Sequence, residues 1–168
     1  MTTSTTQLAV FDVDGVLTDG RLLLQDGGQE IKAFHARDGL GLKALMRFGI
    51  EVAIITARQA PLVDQRVKEL GISHYMRGRE DKAAALAELV AQLHIDHENV
   101  AYMGDDLVDW PAMRRCGATC APSDGDAWLR AQVDHVTEAR GGQGAVREWA
   151  EKILADQGLL DQWRAAFK

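Results

Sequence analysis

The sequence predicts an α/β fold, a Rossmann-like parallel sheet with helices on both faces. Three observations carry that prediction. Strand-like apolar runs alternate with helix-period segments along the whole chain, the pattern of repeated β-α-β units. Two of those runs end abruptly in carboxylates: Asp12 and Asp14 after residues 8–11, and Asp105, Asp106 and Asp109 after residues 100–103. Open α/β sheets bind ligands beyond the carboxyl ends of their strands, so acids placed there address a site rather than a core. No linker, repeat or low-complexity segment divides the 168 residues, so a single domain is expected.

The first element, LAVF at 8–11, reads as a buried strand. Asp12 and Asp14 follow it directly. Two anions this close repel each other and lose water on burial, so they persist with a cation or a shared proton between them. A hard divalent metal, Mg²⁺ first, fits best. Asp-x-Asp-Gly also occurs in turns, helix caps and calcium loops, but a calcium loop requires further acidic ligands and a closing Glu, whereas Val16-Leu17-Thr18-Asp19-Gly20 follows here.

Residues 22–24 and 30–34 are strand-like runs bracketing Asp26-Gly27-Gly28, which predicts a β-hairpin insertion over about 20–34. Three consecutive leucines in a two-stranded ribbon cannot all face inward, and an isolated hairpin is only marginally stable, so another subunit is expected to cover it. A helix opening at Arg37 or Asp38 then runs through Leu40, Leu42, Leu45 and Met46 to Gly49. The strand EVAIIT ends at Thr56 with Arg58 just beyond, a hydroxyl and a guanidinium suited to an anion, although a Thr there also caps a following helix.

Residues 61–70 are an amphipathic helix closed by Gly71, and 74–76 a short strand. Lys82 opens the next helix, through Leu93. A cation in a first turn opposes the macrodipole, which is explained if Lys82 faces a bound anion; an exposed, solvated lysine is the plain alternative. The strand NVAYMG delivers Asp105, Asp106 and Asp109. Helix N-terminal acids account for Asp106 or Asp109 but hardly for all three, and Asp105 is the expected metal ligand. Short strands at 118–121 and 135–137 flank a helix at 126–133. A tail over about 141–168 opens with Gly141-Gly142-Gln143-Gly144 and carries a helix to about residue 157. The glycine run lacks the Lys-Ser/Thr of a P-loop and reads as a flexible joint.

Composition narrows the function. A net charge of −6 with no basic, aromatic-interleaved stripe argues against nucleic acid. The polar start MTTSTTQ leads straight into the first strand, with no signal-peptide pattern and no apolar stretch able to cross a bilayer, so a cytoplasmic protein without a membrane partner is expected. Cys116 and Cys120 match no common zinc or redox spacing and read as small buried thiols, and the five scattered histidines form no metal pair. Strand-end acids with a cation, a Thr and a Lys suit a phosphoryl group, where a carboxylate can attack phosphorus and a second can move the proton.

DVDGVLTDG, IITAR, REDK and GDDLVD, in this order, resemble the four motifs of the haloacid dehalogenase superfamily of phosphatases. The resemblance implies that Asp12 is the nucleophile and Asp14 the general acid and base. It makes Thr56 and Lys82 the phosphate holders and Asp105 a Mg²⁺ ligand beside Asp12 and the Asp14 backbone carbonyl, with Asp106 and Asp109 behind them. FHARDGLGLK, GDDLVDWPAM and GGQGAVRE are further similar to segments of the family of phosphatases acting on 3-deoxy-D-manno-octulosonate 8-phosphate, and that likeness covers nearly the whole chain.

That second likeness implies Mg²⁺-dependent hydrolysis of a small phosphorylated sugar acid in lipopolysaccharide precursor synthesis. It also implies a cap-less fold whose hairpins pack in a homotetramer, each site being completed by neighbouring subunits. Asp14, His35, Ala36, Arg37, Asp38 and Gly39, with Thr56, Arg58, Arg66 and Lys82, are the implied substrate contacts, and Lys43 joins them where much of the family would carry Arg. Two other readings remain at this point. One is a phosphatase of a nine-carbon acidic sugar phosphate; the other is an oligomerisation module related to domains of sialic-acid-activating enzymes.

Overall fold

A computed structural model describes residues 5–168, so the first four residues of the polar start lie outside the described residues. In chain order the elements are β1 (Leu8–Phe11), β2 (Leu23–Leu24), β3 (Glu30–Ile31), α1 (Ala36–Arg47), β4 (Glu51–Ile55), α2 (Pro61–Leu70), β5 (His74–Met76) and α3 (Lys82–Leu93). They continue with β6 (Val100–Met103), α4 (Trp110–Met113), β7 (Ala118–Ala121), α5 (Ala127–Arg130), β8 (His135–Val136), α6 (Ala145–Asp156) and α7 (Leu160–Ala165).

Six strands form one parallel sheet in the order β5-β4-β1-β6-β7-β8, and β2 pairs with β3 as a separate antiparallel hairpin. The central strand β1 is buried along its whole length because helices cover both faces, hence its unbroken apolar run. Side chains alternate across it. Ala9 and Phe11, with Val52, Ile54 and Met103, face α1, α2, α6 and α7 through Leu42, Leu45, Val67, Trp149 and Trp163. Leu8 and Val10, with Ile55 and Tyr102, face α3, α4 and α5 through Leu86, Leu89, Met113 and Leu129. Burying each such side chain contributes on the order of 1.5–3 kcal/mol, so the two layers rather than helix propensity hold the sheet covered.

The chain leaves β1 towards β4 and β5 and then returns to β6 on the other side of β1. The strand order therefore reverses at β1, and a crevice opens above its carboxyl end, between β4 and β6. Everything chemical gathers there.

Several elements differ from the sequence expectation. The hairpin ladder is shorter, two residues a side: the Gln25 N–H still donates to the Gln29 carbonyl at the turn, but pairing stops at Leu23 and Ile31. Helix α1 begins at Ala36, one residue before Arg37. Helix α5 stops at Arg130, where turns lead into β8. Helices α4 and α7 were not foreseen. The first is one turn with Pro111 at its start, and the second follows a glycine turn and is held by buried Trp163. The glycine run is no flexible joint. A Cβ on Gly141 would stand 1.9 Å from the carbonyl oxygen of Gly15, and one on Gly142 would stand 2.4 Å from the carbonyl carbon of Thr18, so the run is packed against the loop that follows β1. The Gly142 N–H also donates to the Val16 carbonyl at 2.9 Å. Cys120 is buried and Cys116 half-buried, and neither forms a disulfide. Among the described residues no helix is long and apolar enough to cross a membrane.

Candidate active site

Three strand ends build the site. The N–H of Asp12 donates to the Met103 carbonyl, which extends the ladder by one residue and aims the Asp12 side chain above the sheet. After it the chain turns tightly, with the N–H groups of Val16, Leu17 and Thr18 all donating to the Val13 carbonyl. The Thr18 hydroxyl oxygen accepts from the N–H groups of Gly15 and Gly20 and closes the loop. Thr56 follows β4 and is buried, and its hydroxyl oxygen accepts from the Arg58 N–H at 3.3 Å. Asp105 follows β6, and its N–H donates to Asp109 at 3.1 Å.

Gly15 is where sequence and site meet most tightly. Its φ of +91° is one that residues with a side chain rarely adopt, and a Cβ there would lie 1.9 Å from Oδ2 of Asp105. The glycine therefore lets the β6 acid approach the β1 loop.

Lys82 is not a solvated surface lysine. Its side chain is 2% exposed, and Nζ stands 3.0 Å from Oδ1 of Asp12 and 2.6 Å from Oδ1 of Asp109. Asp81 caps its helix by accepting from the Ala84 N–H at 2.9 Å, which fixes the first turn that carries it. Burial opposes the Lys82 charge, but Asp12 and Asp109 outweigh it and hold its pKa above the ordinary value.

Carboxylate oxygens of Asp12, Asp105 and Asp109 lie within 4.8 Å of one another. Burial, then Asp109, pushes Asp12 up to about 7 against the pull of Lys82. Burial, then Asp12, Asp109 and Asp106, pushes Asp105 up to about 8. Three carboxylates facing one ammonium leave two negative charges uncompensated, the charge a divalent cation neutralises, and an all-oxygen donor set suits a hard one. Both oxygens of Asp109 are already engaged. Oδ1 accepts from Lys82, and Oδ2 accepts from the N–H groups of Asp105 and Asp106. Asp12 and Asp105 are thus the carboxylates left to hold an ion, with Asp109 aligning Lys82 and the Asp105 loop. Asp106 caps the short turn after β6 through the Leu107 N–H.

Asp12, Asp14, Thr56, Arg58, Lys82, Asp105 and Asp106 line one cleft of about 300 Å³, together with Gly20, Leu22, Ala57 and Val108. The remaining substrate contacts expected from the sequence do not line it. Asp38 is buried, and Oδ1 accepts from the Arg147 N–H at 2.9 Å, so it caps α6 from a neighbouring helix. Gly39 is buried where a Cβ would strike Arg66 and Leu70. Ala36, Lys43 and Arg66 border a separate hollow on the outer side of α1 and α2, and Arg37 another beside α6. His35 is half-buried at the N-cap of α1.

Two residues that touch the lining of the cleft had no sequence signal. Lys32 lies just past β3, and its Nζ stands 2.5 Å from Oδ1 of Asp14 and 3.1 Å from Oε1 of Glu30. Glu30 in turn accepts from Arg58 with both oxygens at 3.2 Å. In an amphipathic hairpin such charges read as solvated; only the fold of the hairpin over the cleft brings them to Asp14.

Comparison with known proteins gives the same picture. A family model described as haloacid dehalogenase-like hydrolase matches residues 76–148. The 3-deoxy-D-manno-octulosonate 8-phosphate phosphatase KdsC of Escherichia coli K12 is 46% identical over 156 residues, 93% of this chain and 83% of the relative. The crystal structure of the Moraxella catarrhalis phosphatase, in complex with magnesium ion, phosphate ion and KDO, superposes with a TM-score of 0.95 at 45% identity, covering 98% of this chain and 95% of that one. A cobalt-bound form of the Haemophilus influenzae phosphatase gives 0.90 at 41% identity, covering 94% and 92%. Identity at this level, sustained across nearly the whole of both chains and carried on one fold, is family membership: the chain belongs to the haloacid dehalogenase-like hydrolases, in the 3-deoxy-D-manno-octulosonate 8-phosphate phosphatase family.

Proposed function

We propose that this protein is a Mg²⁺-dependent phosphatase that hydrolyses 3-deoxy-D-manno-octulosonate 8-phosphate to the free sugar acid and phosphate, in lipopolysaccharide precursor synthesis. The observation that carries the proposal is the single cleft holding Asp12, Asp14, Thr56, Lys82 and Asp105 at the switch point of the sheet, in a chain 46% identical to a phosphatase of that name. The 168 residues act as one domain.

Asp12 is the nucleophile. Its carboxylate attacks phosphorus and the bond to the sugar oxygen breaks, leaving an aspartyl-phosphate, while Asp14 gives its proton to the departing alkoxide. Asp14 then takes a proton from water, which attacks the same phosphorus and returns Asp12 as a carboxylate. Lys82 neutralises charge on Asp12 and the phosphoryl oxygens, and the Thr56 hydroxyl and Arg58 N–H face the same space. Mg²⁺ held by Asp12, Asp105 and the Asp14 carbonyl would supply further positive charge to the phosphoryl group when bound.

Leu22, Leu23, Leu24 and Ile31 are exposed on the hairpin, apolar surface that favours a homotetramer packed through hairpins. In that assembly Arg37, Lys43 and Arg66, which lie outside their own subunit's cleft, reach a neighbour's substrate. The protein works in the cytoplasm.

Phosphate release with Mg²⁺ tests the proposal, comparing 3-deoxy-D-manno-octulosonate 8-phosphate with a nine-carbon acid phosphate and an aryl phosphate. A strong preference for the first supports the assignment. Equal or better turnover of the nine-carbon acid overturns the substrate while leaving the chemistry.

A further inference from the structure

The proposed nucleophile and the proposed general acid each stand against a lysine whose side chain is 2% exposed. Lys82 stands against Asp12, and Lys32, from the hairpin, stands against Asp14. The Lys32 side chain is 2% exposed, whereas Asp14 retains 21%. A lysine gives up its hydration only where compensating charge holds it, and Asp14 and Glu30 provide that charge at 2.5 and 3.1 Å. Glu30 is itself tied to Arg58 by two contacts at 3.2 Å. The chain Asp14–Lys32–Glu30–Arg58 therefore links the β1 loop to the β4 loop across the base of the hairpin. The tight turn after Asp12 fixes the backbone there, and the Lys32 contact fixes the Asp14 side chain.

We propose that Lys32 is a positioning residue for the reaction, orienting the Asp14 carboxyl towards the leaving oxygen, with Glu30 and Arg58 holding Lys32 in place. The inference rests on the reading of Asp14 as the general acid and base. A lysine that merely anchored the hairpin would serve all substrates equally. A lysine that acts through Asp14 matters most where the leaving group needs a proton.

The test exploits that difference. kcat/KM covers only the steps through departure of the leaving group, and p-nitrophenolate leaves without protonation whereas a sugar alkoxide does not. Lys32→Met, Lys32→Arg and Asp14→Asn are compared with the unaltered enzyme, all with Mg²⁺, on 3-deoxy-D-manno-octulosonate 8-phosphate and on p-nitrophenyl phosphate. Lys32→Met is expected to lower kcat/KM for the sugar phosphate by at least about tenfold, part of the 10²–10⁴-fold that a general acid supplies, and for the aryl phosphate by under about threefold. Lys32→Arg recovers most of the loss. Should Lys32→Met fail to fold, Glu30→Gln, which loosens Lys32 without deleting it, must show the same selective loss in smaller measure. Equal losses on both substrates, or none, overturn the inference. If Asp14→Asn itself shows no dependence on leaving group, the reading of Asp14 fails and the inference falls with it.

Discussion

Gly15 and Asp105 share space that a single methyl group would fill, which ties the loop after β1 to the acid after β6. Gly15→Ala adds a Cβ 1.9 Å from Oδ2 of Asp105 at a φ of +91°. The strain costs about 1–3 kcal/mol, and displacing Asp105 is expected to lower activity by about a hundredfold or more, with Mg²⁺ affinity, measured by calorimetry, falling in parallel. The raised carboxyls give a second prediction. Asp12 and Asp105 rise from 3.8 to about 7 and about 8 in the metal-free fold. Between about pH 4 and pH 8 the folded state therefore binds more protons than the unfolded one, and stability falls as pH rises through that window. Melting curves in a chelator should drop from pH 5 to pH 8, and the gain in Tm on adding Mg²⁺ should grow over the same range. A gain independent of pH would contradict the carboxylate site. At this scale the sequence was legible where chemistry is local. Asp12, Asp14 and Asp105 follow apolar runs that read as buried strands, and Lys82 stands at a helix start where its charge is otherwise misplaced. Lys32 was illegible because its partner lies 18 residues back in the chain, across a hairpin whose direction no local pattern encodes.

Helix α6 takes its N-terminal cap from outside itself. Its N-cap residue, Gly144, offers no side chain, and Asp38 of α1 supplies the oxygen for the Arg147 N–H instead. Burial raises the Asp38 carboxyl, opposed by the Arg147 N–H. Asp38→Ala is expected to cost about 1 kcal/mol, as for a lost cap, read as a lower Tm. A raised KM at unchanged Tm would return Asp38 to the substrate. The sheet elements followed from period and punctuation: β1, α2, β5 and α3 have the bounds that apolar runs, Pro61, Gly71 and Lys82 imply. What remained hidden at this scale has a common cause. The Asp38 cap, the packing of Gly141 and Gly142 on the β1 loop, and the docking of α7 through Trp163 are long-range contacts, and no window of sequence contains both partners.

For the molecule as a whole, the short span between the first two motifs leaves only the hairpin above the cleft, and that hairpin carries exposed leucines beside the Lys32–Glu30 pair. Hairpin packing between subunits would then cover the leucines and steady Lys32 and Glu30 together. A Leu24→Asp change places a charge on the most exposed leucine, 69% accessible. If the proposed hairpin-packed tetramer forms, this change converts it to smaller species in sedimentation velocity and reduces turnover of the sugar phosphate; an unchanged sedimentation coefficient would contradict assembly through the hairpin.

The proposed transfer of the phosphoryl group to Asp12 is tested most directly by rapid quenching in acid of the Mg²⁺-loaded enzyme during turnover of 3-deoxy-D-manno-octulosonate 8-phosphate, followed by peptide mass spectrometry. The account predicts that the peptide containing Asp12 gains the mass of one phosphoryl group at that residue, and that Asp12→Asn gives neither adduct nor phosphate. An adduct on another residue, or phosphate release that survives Asp12→Asn, would contradict it.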